Sequence, residues 1–177
     1  MNKQNIYIEW LVLKAQTDEP QVINELLELI RHKLLAYARR LLPERADADD
    51  CVQDALWVIA NKIHQLKEPK AFHGWIYRIV HSRCQDLWRK QRPTDPLPDE
   101  TIDQGESASR TEMAMDLSQA ISCLSVKEAS VVHLFYFEGF TVVEIGHILE
   151  TPAGTVKSLL FQARGHIKSW LTQESDS

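Results

Sequence analysis

Apolar residues recur three and four positions apart along most of this chain, and no segment replaces that spacing with sustained period-two alternation. Val22, Ile23, Leu26, Leu27, Ile30, Leu34 and Tyr37 trace one helical face, opened by Glu19-Pro20 and ended by Pro43. Val52, Ala55, Leu56, Ile59 and Ile63 predict a second helix running roughly from Ala46 to Leu66. After the break at Pro69, Trp75, Ile76, Ile79, Val80, Cys84 and Leu87 trace a third face. The text changes at Arg92 to R-P-T-D-P-L-P-D-E-T-I-D-Q-G-E-S-A-S, whose prolines, glycine and acids make a linker and not a core element. Helix resumes near Thr111. The expected fold is all-α, with two small helical domains over residues 1–92 and 112–177 joined by a flexible acidic linker over 93–111.

The second domain carries the sharper local signals. Ser125-x-x-Glu128 and Thr141-x-x-Glu144 are capping boxes, so helices are expected to start just after Ser125 and at Val142. Gly139 stops the first of them. Gly146 leaves room for a crossing helix, and Thr151-Pro152 reads as an N-cap followed by proline at the first helical position. The last helix is expected to bury Val156, Leu160, Ala163, Ile167 and Leu171, leaving Lys157, Phe161, Arg164 and Lys168 on another face. Two short helices, a tight turn and a polar, basic stripe make a helix-turn-helix, whose second helix can enter a DNA major groove.

At 177 residues and 44% hydrophobic, the chain has enough apolar surface for packed cores. No apolar run approaches the ~18 residues that span a bilayer, and the N-terminus MNKQN does not begin a signal peptide. Cys51, Cys84 and Cys123 lack the spacing of a disulfide framework or a zinc site. All three read as buried structural thiols in a reducing cytoplasm. The net charge of −5 speaks against a nucleic-acid partner until its distribution is considered. Residues 62–92 carry eight Lys/Arg against two acids, a local +6, and residues 93–118 carry seven acids against Arg110, a local −6. Such segregation fits one basic DNA-facing surface and an acidic tether that could screen it.

Two further clusters hold candidate chemistry. Asp47, Asp49, Asp50, Gln53 and Asp54 open a helix, with Asp47, Asp50 and Asp54 on one face. The cluster could serve only the helix dipole, could dock a partner, or could hold magnesium for nuclease chemistry. No His or Glu at ligand spacing accompanies it, and one helix face cannot surround an ion, so no metal is expected. Trp75, Tyr77, Arg78, His81, Ser82, Arg83, Gln85, Trp88 and Arg89 interleave aromatics with bases, the mixture that holds single-stranded DNA. Trp75 and Trp88 read equally well as core.

Taken with both of its halves, the chain closely resembles bacterial RNA polymerase sigma factors of the extracytoplasmic-function type within the sigma-70 family. The resemblance rests on Tyr37 to Trp57, Phe72 to Lys90, and Leu124 to Leu149 followed by G-T-V-K-S, in the right order. It implies a transcription initiation factor without catalytic residues or cofactor, working in the cytoplasm. Asp47, Asp49, Asp50, Gln53 and Asp54 would bind the β′ clamp helices of core RNA polymerase. Trp75, Tyr77, Arg78, His81, Ser82, Arg83, Gln85 and Arg89 would read and melt the promoter −10 element. Thr155, Lys157, Ser158, Phe161 and Arg164 would meet −35 DNA. Further expected partners are the polymerase β flap and an anti-sigma factor, and no small-molecule substrate is expected.

The chain departs from that pattern at Ser82, where many relatives carry Asn, and at Leu159 and Gln162, where arginine is frequent. Glu150 replaces the usual turn glycine and is expected to take a left-handed conformation at a cost of ~1 kcal/mol. Fewer phosphate contacts should weaken −35 binding and flatten its salt dependence. A stand-alone helix-turn-helix regulator binding DNA as a dimer is the alternative, but it leaves the aromatic-basic segment unexplained.

Overall fold

The computed structural model describes residues 3–17, 20–91, 121 and 123–175. Every regular element among them is helical: α1 (Lys3–Ala15), α2 (Pro20–Leu41), α3 (Arg45–Lys62), α4 (Phe72–Gln91), α5 (Val126–Val132), α6 (Val142–Ile148) and α7 (Ala153–Ser175). The acidic linker, with the helix restart near Thr111, lies outside the described residues.

In the first half, α2 packs on α3 and α3 on α4. Leu26, Ile30, Leu34 and Leu41 of α2 meet Val52, Ala55 and Ile59 of α3 and Ile76 and Val80 of α4 in one buried cluster. Each of the Leu, Ile and Val side chains contributes ~1.5–3 kcal/mol by leaving water. Trp88 belongs to this core, its indole Nε1 donating to the Leu41 carbonyl at 2.8 Å. The predicted second helix ends earlier than expected, at Lys62, and tightens into a 3-10 turn over Ile63–Gln65. Helix α1 was not predicted. It buries Leu11, Val12 and Ala15, and Gln16 just beyond it donates to the carbonyls of Ile63 (3.0 Å) and Leu66 (2.6 Å). Those bonds tie the end of α1 to the turn that follows α3.

In the second half, both capping boxes form. Glu128 N donates to Ser125 Oγ at 3.3 Å and Ser125 N to Glu128 Oε2 at 3.0 Å, and Thr141 with Glu144 repeats the pattern. Glu128 also points its second oxygen at His166 Nδ1 of α7, 2.9 Å away. Gly139 takes φ +75° and Glu150 φ +53°, the left-handed geometry expected of it. A Cβ on Gly146 would lie 2.8 Å from the Thr151 carbonyl oxygen, so only glycine allows the turn to close this tightly.

Three expectations are corrected here. Thr151 does not cap α7: its hydroxyl donates to the Leu149 carbonyl, and the Pro152 carbonyl accepts the first helical bond, from Val156 N. The proline therefore stands at the cap, one position earlier than expected. Leu171 is exposed and Ile167 only partly buried, because the C-terminal turns of α7 outrun the core. Cys51 and Cys84 are buried, with sulfurs 3.2 Å apart, but Cys123 is exposed.

The two halves are not independent in this structure. Helix α2 packs against α5 and α4 against α6, and one continuous apolar cluster runs through both.

Candidate nucleic-acid interface

The acidic face forms at the start of α3. Asp49, Asp50, Gln53 and Asp54 are exposed, and Asp47 is half-buried. Asp49 pairs with Arg39 of α2 at 3.4 Å, both partners being solvated, which is worth at most ~1 kcal/mol. Trp57 continues the same face one turn on and is 69% exposed. Sequence reasoning missed it, although Asp50, Gln53, Asp54 and Trp57 have the spacing of one helical stripe. Between α3 and α4 a crevice of about 380 Å³ sets Asp47, Asp50 and Asp54 opposite Arg83, Arg89 and Lys90. Among the described residues, no group of three His, Cys, Asp or Glu side chains converges as metal ligands.

The basic-aromatic segment lies on α4, and the structure divides it. Arg78, Ser82, Arg83 and Arg89 are exposed, while Trp75 and Gln85 are half-buried. Tyr77 is 0% exposed and His81 is buried too, so neither ring is open to a nucleic-acid base in this arrangement. Their burial has a specific cause. Tyr77 packs edge-on against Tyr37 of α2 (5.3 Å between centroids) and Phe140 from the second half (5.6 Å). His81 sits with Nδ1 3.0 Å from the Tyr37 hydroxyl oxygen and Nε2 3.0 Å from Gln85 Nε2. Burial draws its pKa down to about 4, so it is neutral at pH 7.

The joint between the halves centres on Glu138, which directly follows a π turn over His133–Phe137. That turn, closed by Glu138 N donating to the His133 carbonyl, widens the end of α5 by one residue. The Glu138 side chain is 6% exposed. Its Oε2 meets Lys33 Nζ of α2 at 3.4 Å and His73 Nε2 of α4 at 3.2 Å, and its Oε1 lies 3.7 Å from His133 Nε2. Burial alone would raise the carboxyl pKa. Contacts from His133, His73 and Tyr77 and the charge of Lys33 outweigh it, and the pKa is held well below the carboxylate range. The Tyr77 hydroxyl is near enough to feel that charge but completes no hydrogen bond of normal geometry. Around the cluster, His73 lies 4.5 Å from the Phe140 ring and Arg40 stacks 4.9 Å over Phe137. At the rim, Arg78 donates to Glu150 at 2.7 Å. A cavity of about 600 Å³ opens along this seam, floored by Phe72, Ile76, Phe140 and Ile148 and edged by Lys33, Arg78 and Glu144.

On α7, Thr155, Lys157, Ser158, Phe161 and Arg164 are all exposed, with Phe161 at 76%. Val156, Leu160 and Ala163 on the opposite face hold the helix to the core.

Residues 26–94 match the model of sigma-70 region 2 and residues 114–167 that of sigma-70 region 4. The RNA polymerase sigma-E factor of Streptomyces avermitilis is 30% identical over 143 residues, covering 78% of each chain. The chain belongs to the sigma-70 family, as an extracytoplasmic-function (ECF) sigma factor. This sigma factor is similar, at 29% identity over 139 residues, to the ECF RNA polymerase sigma factor SigM of Mycobacterium tuberculosis, covering 77% of this chain and 70% of the relative. It directs RNA polymerase to promoters as a transcription initiation factor. Two solved structures share its fold at a TM-score of 0.67. One is CnrH in complex with the cytosolic domain of CnrY, 19% identical and matched over 96% of this chain and 99% of that one. The other is the sigma factor RpoE with the anti-sigma factor NepR from Bartonella quintana, 21% identical, over 84% and 96%. The region 2 match runs from within α2 through α4, so α1 lies ahead of it. No helix of the described residues is long and apolar enough to cross a membrane.

Proposed function

We propose that residues 1–92 bind core RNA polymerase and read the −10 element, that 93–111 act as a tether, and that 112–177 read −35. The supporting observation is that one chain exposes an acidic helix face, a basic helix face and a polar recognition helix, each on a different element. Asp49, Asp50, Gln53 and Asp54, with Asp47 at their edge and Trp57 beyond, form the surface for the β′ clamp helices. A carboxylate-rich surface around one exposed indole suits a basic, partly apolar partner.

Arg78, Arg83 and Arg89 follow the phosphates of the melted −10 strand, and Ser82 offers a hydroxyl to a base. Trp75, Tyr77, His81 and Gln85 complete that reader only when their covering moves away. Base stacking on such rings contributes ~1–3 kcal/mol each, comparable to the cost of unstacking a base. Along α7, Thr155, Lys157, Ser158 and Phe161 face the −35 groove and Arg164 a phosphate. With Leu159 and Gln162 in place of cations, this half binds DNA weakly by itself, and the polymerase supplies the rest by holding both readers at high effective concentration.

The β flap would steady the second half, and an anti-sigma factor would hold the free protein, as NepR does for its sigma factor in the complex named above. The factor takes no catalytic part, since phosphodiester synthesis belongs to the polymerase, and it acts in the cytoplasm. The test is run-off transcription with purified core enzyme over a library of upstream sequences. Starts enriched for a shared pair of elements are expected, and random or absent starts would refute the assignment.

A further inference from the structure

Two cysteines meet where α3 packs on α4, and the sequence read them as inert packing. Cys51 and Cys84 are 33 residues apart in the chain, yet their sulfurs stand 3.2 Å from each other. The Val80 carbonyl, another acceptor for the Cys51 thiol, is more distant at 3.9 Å. The two sulfurs differ in access. Cys51 lines the crevice of about 380 Å³ between α3 and α4 and is 5% exposed, whereas Cys84 is fully enclosed behind it. Four aspartates and three bases share that lining, so it favours neither sign of charge and suits a small neutral reagent.

We infer that Cys51 and Cys84 are a modification site, a dithiol that a hydroperoxide closes to a disulfide. The bond locks α3 to α4 and lowers promoter-directed activity until a thiol reductant reopens it.

The chemistry balances with the peroxide as the oxidant. The Cys51 sulfur attacks one peroxide oxygen, the O–O bond breaks, and the sulfur becomes a sulfenic acid. The proton given up by Cys51 passes to the departing oxygen, which leaves as water or an alcohol. Cys84 then attacks the Cys51 sulfur. An S–S bond forms, the S–O bond breaks, and the Cys84 proton leaves with the hydroxyl as water. Two thiols thus give up two electrons and two protons, and one peroxide is reduced. The contact with Cys51 and then burial keep the Cys84 thiol protonated, so it is a poor first nucleophile. As the second it needs no encounter, because its target already touches it. Disulfide sulfurs lie about 2.05 Å apart, so the pair closes by only about 1.2 Å. Thiol–disulfide exchange reverses the step, as suits a transient bond in a reducing compartment.

The consequence for transcription rests on the promoter-reading function proposed above, whereas the thiol chemistry does not. Asp50 and Asp54 flank Cys51 on α3, and Arg83 precedes Cys84 on α4. Drawing the sulfurs together moves these acids and bases toward each other across the crevice. Charges needed by the polymerase and the −10 strand then neutralise one another, and the two helices lose their freedom to adjust.

The test uses full-length protein carrying Cys123→Ser, which removes the exposed thiol. Reduced protein is treated with hydrogen peroxide, cleared of it with catalase, denatured and alkylated with iodoacetamide. Mass spectrometry should find both remaining thiols blocked, a peptide of α3 joined to one of α4, and both thiols recovered after dithiothreitol. Adding Cys84→Ser should stop the reaction at a sulfenic acid on Cys51, which dimedone traps. Two free thiols after peroxide, or sulfinic acid in place of the link, would overturn the site. Run-off transcription with untreated core enzyme then compares reduced and oxidised factor. A several-fold loss on oxidation is expected, restored by dithiothreitol and absent in Cys51→Ser and in Cys84→Ser. Undiminished transcription by protein with a confirmed disulfide would overturn the regulation. The mass spectrum decides the thiol chemistry without polymerase, so a reduced factor that directs no transcripts refutes the promoter-reading function alone.

Discussion

Arg78 and Glu150 stand 72 residues apart in sequence, yet the guanidinium of one meets the carboxylate of the other at 2.7 Å, across the seam between the halves. Both are exposed, so the pair is worth at most ~1 kcal/mol. Glu150 also holds a left-handed backbone that disfavours a side chain by ~1 kcal/mol. The two effects nearly cancel. Glu150→Gly should therefore move the thermal midpoint by no more than about 3 °C, given the usual shift for a chain of this size. A drop beyond about 8 °C in calorimetry would show that the bridge bears far more than an exposed pair can.

Acid should loosen the molecule. His81 and His133 are buried, and burial lowers both pKa values below that of a free histidine. His133 faces Glu138, which favours its protonation, and Arg40 and Lys33, which oppose it. The unfolded chain takes up protons near pH 6.5 while the folded one resists. Stability is then complete above about pH 6.5 and declines as pH falls, for His81 down to about 4, by up to ~1.4 kcal/mol per pH unit for a proton bound only by the unfolded chain, and His133 adds a loss in the same direction. Glu138, held as a carboxylate, adds a further loss in the same direction below the ordinary carboxylate pKa. Urea midpoints at pH 7.5 and 5.5 test this, and an equal or higher midpoint at pH 5.5 contradicts it.

The three thiols should react in two classes. Cys123 is exposed, whereas Cys51 and Cys84 are buried against each other. The contact with Cys51 and then burial push the Cys84 pKa up, away from the nucleophilic thiolate. Brief iodoacetamide treatment of native protein should add one adduct by mass spectrometry, and denatured protein should take three. Equal labelling of all three in native protein would mean that the α3–α4 seam opens freely.

Promoter binding by the holoenzyme should depend on Lys157 and Arg164 of α7 in a salt-dependent way. Lys157→Ala and Arg164→Ala should each reduce the slope of log affinity against log salt by ~0.9. Thr155→Ala and Phe161→Ala should leave the slope alone and alter which −35 sequences are preferred. Filter binding across a salt series distinguishes these patterns, and an unchanged slope for Arg164→Ala removes it from the phosphate contacts.

Local features of the fold were legible wherever a single element decided them. The boxes at Ser125 and Thr141, the glycine stop at Gly139 and the strained Glu150 all follow from backbone rules acting over four residues. Helix α1 was not, because its polar start hides the spacing of Leu11, Val12 and Ala15. Tyr77 and His81 belong to the expected −10 reader, and their burial was not legible, because aromatics interleaved with bases look the same on an open surface and in a closed aromatic seam. Only the partners Tyr37 and Phe140, from distant parts of the chain, decide between the two. Glu138 gave no signal at all. A single acid before a glycine is ordinary in sequence, and its meaning comes from Lys33 and His73.

Tyr77 holds a position that two occupants want. In the closed protein its ring is capped by Phe140, and in the proposed promoter complex the same ring would lie against a base. The two cannot be satisfied together, so a truncation such as Tyr77→Ala acts twice with opposite sign, freeing the halves while blunting the reader. An intermediate promoter phenotype at this residue would then reflect competition between an internal ligand and an external one, and its size would vary with how much polymerase is present to hold the molecule open.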